Sequence, residues 1–296
     1  MQSKITLITP FLIKYYHTLF DSWTTSFDPA IMEVGYMSLK TLRRSIVDGY
    51  DYPQKDKLIT EFFETCLHHF QKLLVQHENY SHMELLERYI KCYVKLFYNL
   101  IYINPTSFLL MPSSNEILIT LLSILQNKAP IIYNNNINND DVDESTNEFW
   151  EQIAVKTFLI LKRLTTFAYK KGALLLKQKN DKEEIEKAIN YLTKEFFTES
   201  LLENLVSLII DWYLKLKPSD LESWSVEPEE WVNEELQLSW EYQIRPCAEN
   251  YFQDLASFFK SFLSKLIMEK IVTVQMQLQI MLILTNYLKN FFLLKV

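Results

Sequence analysis

Apolar residues recur at steps of three and four positions along most of the chain. This spacing places them on one side of an α-helix, so each run predicts a helix with one buried face. The most regular run extends from Leu85 to Ile101 and stops at Asn104-Pro105. The other runs predict helices over residues 5–23, 30–47, 57–76, 115–126, 148–171, 182–197, 198–217 and 246–267, followed by an apolar run to residue 296.

Many of these predicted helices carry wide apolar faces. A wide face is expected when a helix packs against its own partner and also against the next pair of helices. We therefore predict an all-α fold in which helix pairs are stacked in a row, an α-solenoid. The pairs recur at uneven intervals, often longer than the roughly 40–47 residues of HEAT repeats, so a single irregular helical bundle remains the alternative.

Two segments interrupt the helical pattern. Residues 133–147 are rich in Asn and Asp and carry too little apolar surface to pack, which predicts a flexible surface loop. This loop is either an acidic lid or an insertion that is tolerated because loop length costs little free energy. The second interruption, residues 217–244, is here called the acidic segment. It contains eight Asp and Glu residues and, after Lys217, neither Lys nor Arg.

The acidic segment accounts for the formal net charge of −7 of the whole chain. Outside it, 29 basic and 29 acidic residues balance. The sequence contains no run of five or more basic residues, which would be the usual footprint of binding to nucleic-acid phosphates. We therefore expect no direct binding to nucleic acid.

The scarcity of glycine excludes several classes of protein. Only three glycines occur among 296 residues, whereas tight hairpins and phosphate-binding loops need residues that tolerate positive φ. The three cysteines, Cys66, Cys92 and Cys247, are far apart, so no disulfide framework is predicted and the compartment is expected to be reducing. There is no secretory signal pattern at the start and no uninterrupted apolar stretch of about 18 residues. We expect a soluble intracellular protein without membrane insertion.

The acidic segment and the residues after it resemble a known family. The sequence reads Asp220-Leu-Glu-Ser-Trp224, then Glu227-Pro-Glu-Glu-Trp231, then Trp240-Glu-Tyr-Gln-Ile-Arg245-Pro246-Cys-Ala248. This resembles a segment of the importin-β (karyopherin-β) superfamily, and the wording is most similar to the importin-eleven type. Two positions depart from the family pattern, because Glu227 stands where Asp is usual and Trp231 where Phe is usual.

The resemblance implies a HEAT-repeat solenoid that serves in nuclear transport. Its implied partners are the small GTPase Ran in its GTP form, protein cargo, and phenylalanine-glycine nucleoporins in apolar grooves on the outside. A receptor of this kind shuttles between nucleus and cytoplasm. Such receptors are several times longer than this chain, so we interpret the chain as a fragment of one.

The residues of the acidic segment suggest two roles. The carboxylates are candidates for contact with a basic surface on Ran or cargo, or they solvate a connection that its aromatic side chains hold down. The candidate binding residues are Glu227, Glu229, Glu230, Glu234 and Glu235. The candidate structural anchors are Asp220, Trp224, Pro228, Trp231, Trp240, Tyr242, Arg245 and Pro246, where each proline begins or follows a helix boundary and Arg245 is suited to pairing with a nearby carboxylate.

Neither catalysis nor metal binding is predicted. The side chains of Cys66, His69, His77 and His82 superficially resemble a zinc-ligand set, but the first two fall inside a predicted helix and no Cys-x-x-Cys pair accompanies them. No glycine-rich loop, nucleophile motif or paired His motif occurs. We expect a binding protein with no cofactor. The leading hypothesis is part of a nuclear transport receptor, and the alternative is a helical-repeat scaffold of a cytosolic assembly without Ran dependence.

Overall fold

The computed structural model describes residues 2–80, 83–133, 144–170, 180–237 and 240–293, and those residues form helices and turns without any strand. They fall into two compact units, Met1–Tyr251 and Phe252–Val296. The α-helices are α1 (Gln2–Ser26), α2 (Pro29–Gly49), α3 (Lys57–Asn79), α4 (Glu84–Ile103), α5 (Pro105–Leu109), α6 (Ser114–Tyr133), α7 (Glu144–Tyr169), α8 (Lys182–Tyr191), α9 (Glu199–Leu208), α10 (Pro218–Val226), α11 (Pro228–Gln237), α12 (Ile244–Phe258) and α13 (Lys260–Leu293). A 3₁₀ turn, Pro53–Lys55, precedes α3, and π-helical turns at Leu192–Phe196 and Ile209–Tyr213 extend α8 and α9.

Short polar side chains set where several helices begin. The Asp28 carboxylate accepts hydrogen bonds from the first backbone N–H groups of α2, and Pro29 occupies the first helical position. Asn104 ends α4 and also caps α5, since its side-chain oxygen accepts a hydrogen bond from Ser107 N at 3.0 Å. The helix boundary predicted at Asn104-Pro105 is therefore the end of α4 and also the beginning of α5.

Helices α2, α4, α7 and the beginning of α12 lie side by side, and we call them the B row. Tyr89 of α4 donates a hydrogen bond to the Met32 carbonyl of α2 at 2.9 Å. Lys156 of α7 lies over the ring of Tyr98 of α4, 4.8 Å from its centroid. Cys247 of α12 donates to a carbonyl of α7 at 3.8 Å. Each B-row helix therefore contacts the next one in chain order.

Helices α1, α3 and α6 and the π-helical turn after α9 form a second series, which we call the A row. The ring of Tyr16 in α1 packs edge-on against Phe62 in α3. Gln71 of α3 donates to Glu116 of α6 at 3.0 Å. The hydroxyl group of Tyr213 in the π-helical turn donates to the carbonyl oxygen of Leu125 in α6 at 2.6 Å.

The two rows are joined within each pair. Helix α1 packs along α2, α3 packs on α4 through Phe70 against Tyr93 and Phe63 against Phe97, and α6 packs on α7. Within Met1–Tyr251 the helix pairs are consequently stacked as layers. This is the arrangement that the wide apolar faces predicted.

A hydrogen-bonded group of polar side chains lies in the core between α1, α3 and α4. The Tyr16 hydroxyl is hydrogen-bonded to His69 Nδ1 at 3.1 Å and to the Tyr93 hydroxyl, joining α1, α3 and α4. Burial lowers the pKa of His69 to about 3, so its imidazole is neutral at physiological pH. His77 lies 3.4 Å from Glu87, and burial lowers the pKa of this histidine to about 4.

Three of the candidate zinc ligands, Cys66, His69 and His77, are buried. Cys66 is fully buried, and burial raises the pKa of its thiol well above the usual value, which opposes the thiolate that metal binding requires. His82 lies outside the described residues. Within the part of the chain that the structure describes, no group of three or more His, Cys, Asp or Glu side chains is arranged to hold a metal ion.

Some elements differ from the sequence predictions. The single helix predicted over residues 246–267 is two helices, α12 and α13, separated at Phe259, where the bond from Phe262 N reaches back only three residues. Most of the predicted loop, residues 134–143, lies outside the described residues, while Tyr133 ends α6 and residues 144–147 belong to α7. Among the described helices, none combines the length and apolarity that crossing a membrane requires.

Gly35 provides a test of the B-row packing. A methyl group at this position would lie 2.3 Å from the Tyr89 hydroxyl oxygen, which is fully buried and bonded to Met32. We predict that Gly35→Ala lowers the free energy of unfolding by about 1–2 kcal/mol, because overpacking outweighs the gain of about 1 kcal/mol in helix propensity. Urea unfolding followed by circular dichroism measures this change.

Tyr89→Phe supplies the matched control, because it removes the oxygen that the new methyl group would meet. Adding Gly35→Ala to the Tyr89→Phe background should cost much less than adding it to the unmodified chain. An equal cost in the two backgrounds would show that the Tyr89 hydroxyl does not limit the approach of α2 to α4.

Candidate protein-binding site

The acidic segment begins at a well-defined helix start. The Asp220 carboxylate accepts a hydrogen bond from Lys217 N at 2.9 Å, and Pro218 occupies the first position of α10. This hydrogen bond closes the first turn of α10. The helix ends at Glu227, whose N–H donates to the Ser223 carbonyl at 2.9 Å.

Helix α11 follows at once, with Pro228 at its start and Glu229 and Glu230 in its first turn. Carboxylates at this end of a helix are stabilised by the partial positive charge of the free backbone N–H groups. Glu227, Glu229 and Glu230 are exposed. The candidates Glu234 and Glu235 also lie in α11, as does Trp231, so the structure places the five candidate glutamates on α11 and at the turn that precedes it.

The aromatic residues expected to hold the segment in place differ in their surroundings. Trp224 is 51% exposed and Tyr242 is 79% exposed. The Trp240 ring lies 5.3 Å from the Lys162 ammonium group of α7, at a distance that permits a cation–π contact. Burial therefore fixes neither Trp224 nor Tyr242, and both rings are accessible on the surface.

The beginning of the segment is attached to α7 by charge. The ammonium group of Lys217 forms an ion pair with Glu151, and both side chains are largely buried. Arg245 and Pro246, from the other end of the segment, line a cavity of about 130 Å³ together with Tyr133, Asp220 and this ion pair. The two ends of the acidic segment thus meet at one place beside α7, although residues 217 and 245 are far apart in sequence.

The end of the segment is fixed by α12. Arg245 forms an ion pair with Glu249, one turn further along its own helix, at 2.7 Å. Cys247 is buried against α7, and burial raises the pKa of its thiol to about 12. Tyr251 is hydrogen-bonded to Thr165 of α7 at 3.3 Å and packs near Phe158. The Arg-Pro-Cys-Ala sequence accordingly marks the start of a helix that packs on the preceding B-row helix.

The ion pair between Lys217 and Glu151 was not predicted from the sequence. The two residues are separated by 66 positions, and neither belongs to a motif or charge run. The spacing of residues along the sequence does not predict a contact between two residues so far apart.

No protein-family model matches the chain. Comparison with individual proteins does find relatives. The chain is 43% identical over 276 residues to the importin β-like protein KAP120 of Saccharomyces cerevisiae, which covers 92% of this chain and 26% of that protein. It is 23% identical over 252 residues to human importin-11, which covers 82% of this chain and 24% of that protein.

A solved structure described as Lph2, a bidirectional nuclear transport receptor of S. cerevisiae, superimposes with a TM-score of 0.81 at 43% identity, over 92% of this chain and 26% of that one. The chain therefore spans about a quarter of the length of the relatives that it matches. The all-α, HEAT-repeat solenoid class predicted from the sequence is confirmed.

Lys217→Met tests the attachment of the acidic segment. We predict that amide exchange in α10 becomes about 5-fold faster, the effect of losing roughly 1 kcal/mol from a partly buried ion pair. Hydrogen–deuterium exchange with mass spectrometry measures this change.

Lys57→Met is the control, since it removes the exposed pair with Glu61 and should leave exchange in α10 unchanged. Equal exchange rates in α10 of Lys217→Met and the unmodified chain would contradict the attachment.

Proposed function

The chain is homologous to importin-β-like karyopherins, and we propose that it is part of a nuclear transport receptor that imports protein cargo under the control of Ran-GTP. The observation that carries this proposal is the 43% identity over 92% of the chain, shared with a stacked-helix receptor structure at a TM-score of 0.81. These relatives support the receptor and give no support to a cytosolic scaffold without Ran dependence.

We propose a mechanism of linked binding without catalysis. Each helix pair contacts its neighbours in the row, so adjacent layers can rotate slightly at small cost. If Ran-GTP and cargo favour different arrangements of the layers, binding one lowers the affinity for the other, by an equal factor in each direction. Loading and release then follow from the difference in Ran-GTP concentration between nucleus and cytoplasm.

The acidic segment is our candidate for contact with Ran or cargo. Its two ends are held beside α7, while Glu227, Glu229 and Glu230 are exposed and without a neighbouring Lys or Arg in the sequence of the segment. Such a surface raises the association rate with a basic partner and selects against acidic ones. The exposed Trp224 ring provides apolar area next to the charges.

A groove between α6 and α9 is our candidate for phenylalanine-glycine nucleoporins. Its volume is about 290 Å³, and Leu122, Leu205 and Trp212 line it with further apolar and polar residues. A shallow groove that presents leucine and tryptophan side chains suits a single phenylalanine side chain with little surrounding sequence. With such contacts the receptor passes the nuclear pore and is found in both nucleus and cytoplasm.

The full-length protein that contains this chain should bind Ran-GTP and not Ran-GDP. Reversing Glu229, Glu230, Glu234 and Glu235 to Lys should weaken its binding to Ran-GTP or to cargo by roughly 10-fold, because each reversal replaces attraction by repulsion. Surface plasmon resonance with immobilised Ran in each nucleotide state, and with cargo, measures these affinities.

The matched control reverses four exposed glutamates outside the segment, Glu183, Glu186, Glu199 and Glu203, and should leave both affinities within about 2-fold. Equal affinity for the two nucleotide states of Ran would contradict the receptor function. A different outcome would contradict only the role of the acidic segment. In that case the protein still prefers Ran-GTP to Ran-GDP, but the variant with four reversed glutamates binds Ran-GTP and cargo as tightly as the unmodified protein.

A further inference from the structure

A second groove lies on the B row, between α4 and α7. Its volume is about 380 Å³. Lys91 and Lys95 project from successive turns of α4, and Lys156 faces them from α7. The floor is apolar, because Val94, Ile153 and Val155 are buried there. We call this cavity the basic groove.

The positive charge of the basic groove is largely uncompensated. Lys91 has a carboxylate partner, Glu87, at 3.6 Å. In the described part of the chain, however, no carboxylate forms an ion pair with Lys95 or Lys156. The two ammonium groups also repel each other: burial, followed by the charge of Lys95, lowers the pKa of Lys156.

Aromatic rings lie beside two of the cations at this surface, Lys156 and Arg163. Lys156 lies 4.8 Å from the centroid of the Tyr98 ring, and Arg163 lies 5.6 Å from that of Tyr102, further along the same two helices. A cation–π contact positions a cation but leaves its net charge in place. The groove and its extension therefore present a row of positive charge above an apolar floor.

Two exposed residues of the acidic segment lie beside the lysines of the basic groove. Glu241 and Tyr242, at the end of the acidic segment, line its mouth. The charge of Glu241 raises the pKa of Lys156, in opposition to Lys95. Because both residues are exposed, they occupy the rim and leave the floor open. Glu241 and Tyr242 together place a carboxylate next to an aromatic ring. An occupant of the groove with the same composition would carry carboxylates beside apolar or aromatic side chains.

We infer that the basic groove binds an acidic peptide segment of a partner protein. Lys95 and Lys156 hold carboxylates of that segment, and its apolar side chains pack on Val94, Ile153 and Val155. The apolar floor favours a polypeptide over a nucleic acid, because the phosphates of a nucleic acid would gain nothing from contact with valine and isoleucine. This surface is separate from the candidate glutamates of α11 and does not depend on Ran.

The test begins with short random peptides displayed on phage and selected against the full chain. Peptides enriched by the unmodified chain should be rich in Asp and Glu with interspersed apolar residues. Synthetic, fluorescently labelled versions should lose at least about 10-fold in affinity, by fluorescence anisotropy, when Lys95→Glu and Lys156→Glu are combined. Glu241→Gln should increase their affinity by about 2-fold, because one competing carboxylate is removed.

Lys57→Glu combined with Lys182→Glu is the control, since it makes the same charge change at exposed positions outside the groove and should alter affinity by less than about 2-fold. Circular dichroism verifies that both double variants are folded. The inference fails if the enriched peptides show no excess of acidic residues, or if they bind both double variants equally. It also fails if a single-stranded RNA oligonucleotide binds the unmodified chain more tightly than every selected peptide does, and if combining Lys95→Glu and Lys156→Glu abolishes that RNA binding.

Discussion

The stacking of layers depends on buried tyrosine hydroxyls that donate across it to main-chain carbonyls. Tyr89 donates to Met32 between the first and second pairs, and Tyr213 donates to Leu125 between α6 and the turn after α9. Burial raises the pKa of both phenols, so they remain protonated donors at any physiological pH. Because a hydrogen bond requires a particular distance and angle, whereas an apolar contact does not, each bond fixes the position of one layer relative to the next.

The stacked layers form a rigid framework, and other surfaces of the chain are available to partners. The layers are fixed by contacts between neighbours, whereas the acidic segment is held at its ends and exposes Glu227, Glu229 and Glu230 between them. The basic groove lies between two rigid B-row helices and receives the last residues of the same segment. The same chain therefore carries surfaces of opposite charge, which suits a protein whose proposed role is to bind one partner and release another.

The sequence predicts those features that depend on local spacing. The three- and four-residue period indicated the helices, Asn104-Pro105 indicated a boundary, and the Arg245-Pro246 motif indicated the start of a helix in a new layer. The break at Phe259 carries no glycine or proline, so the apolar period continues through it. The basic groove joins Lys95 to Lys156 across 61 positions, and the exposure of Trp224 and Tyr242 depends on what α7 and α12 leave uncovered. Such features arise only when the layers are assembled.

Each layer is stabilised by its contacts with the neighbouring layers, and not by one hydrophobic core that all helices share. Native-state hydrogen–deuterium exchange of Tyr213→Phe tests it directly, because this change removes one interlayer hydrogen bond and nothing else. The account predicts that exchange becomes faster in α6 and α9, by about 5-fold for a bond worth roughly 1 kcal/mol, while α1 and α2 are unaffected. A uniform increase across all helices from α1 to α12 would show a single cooperative bundle and would contradict the account.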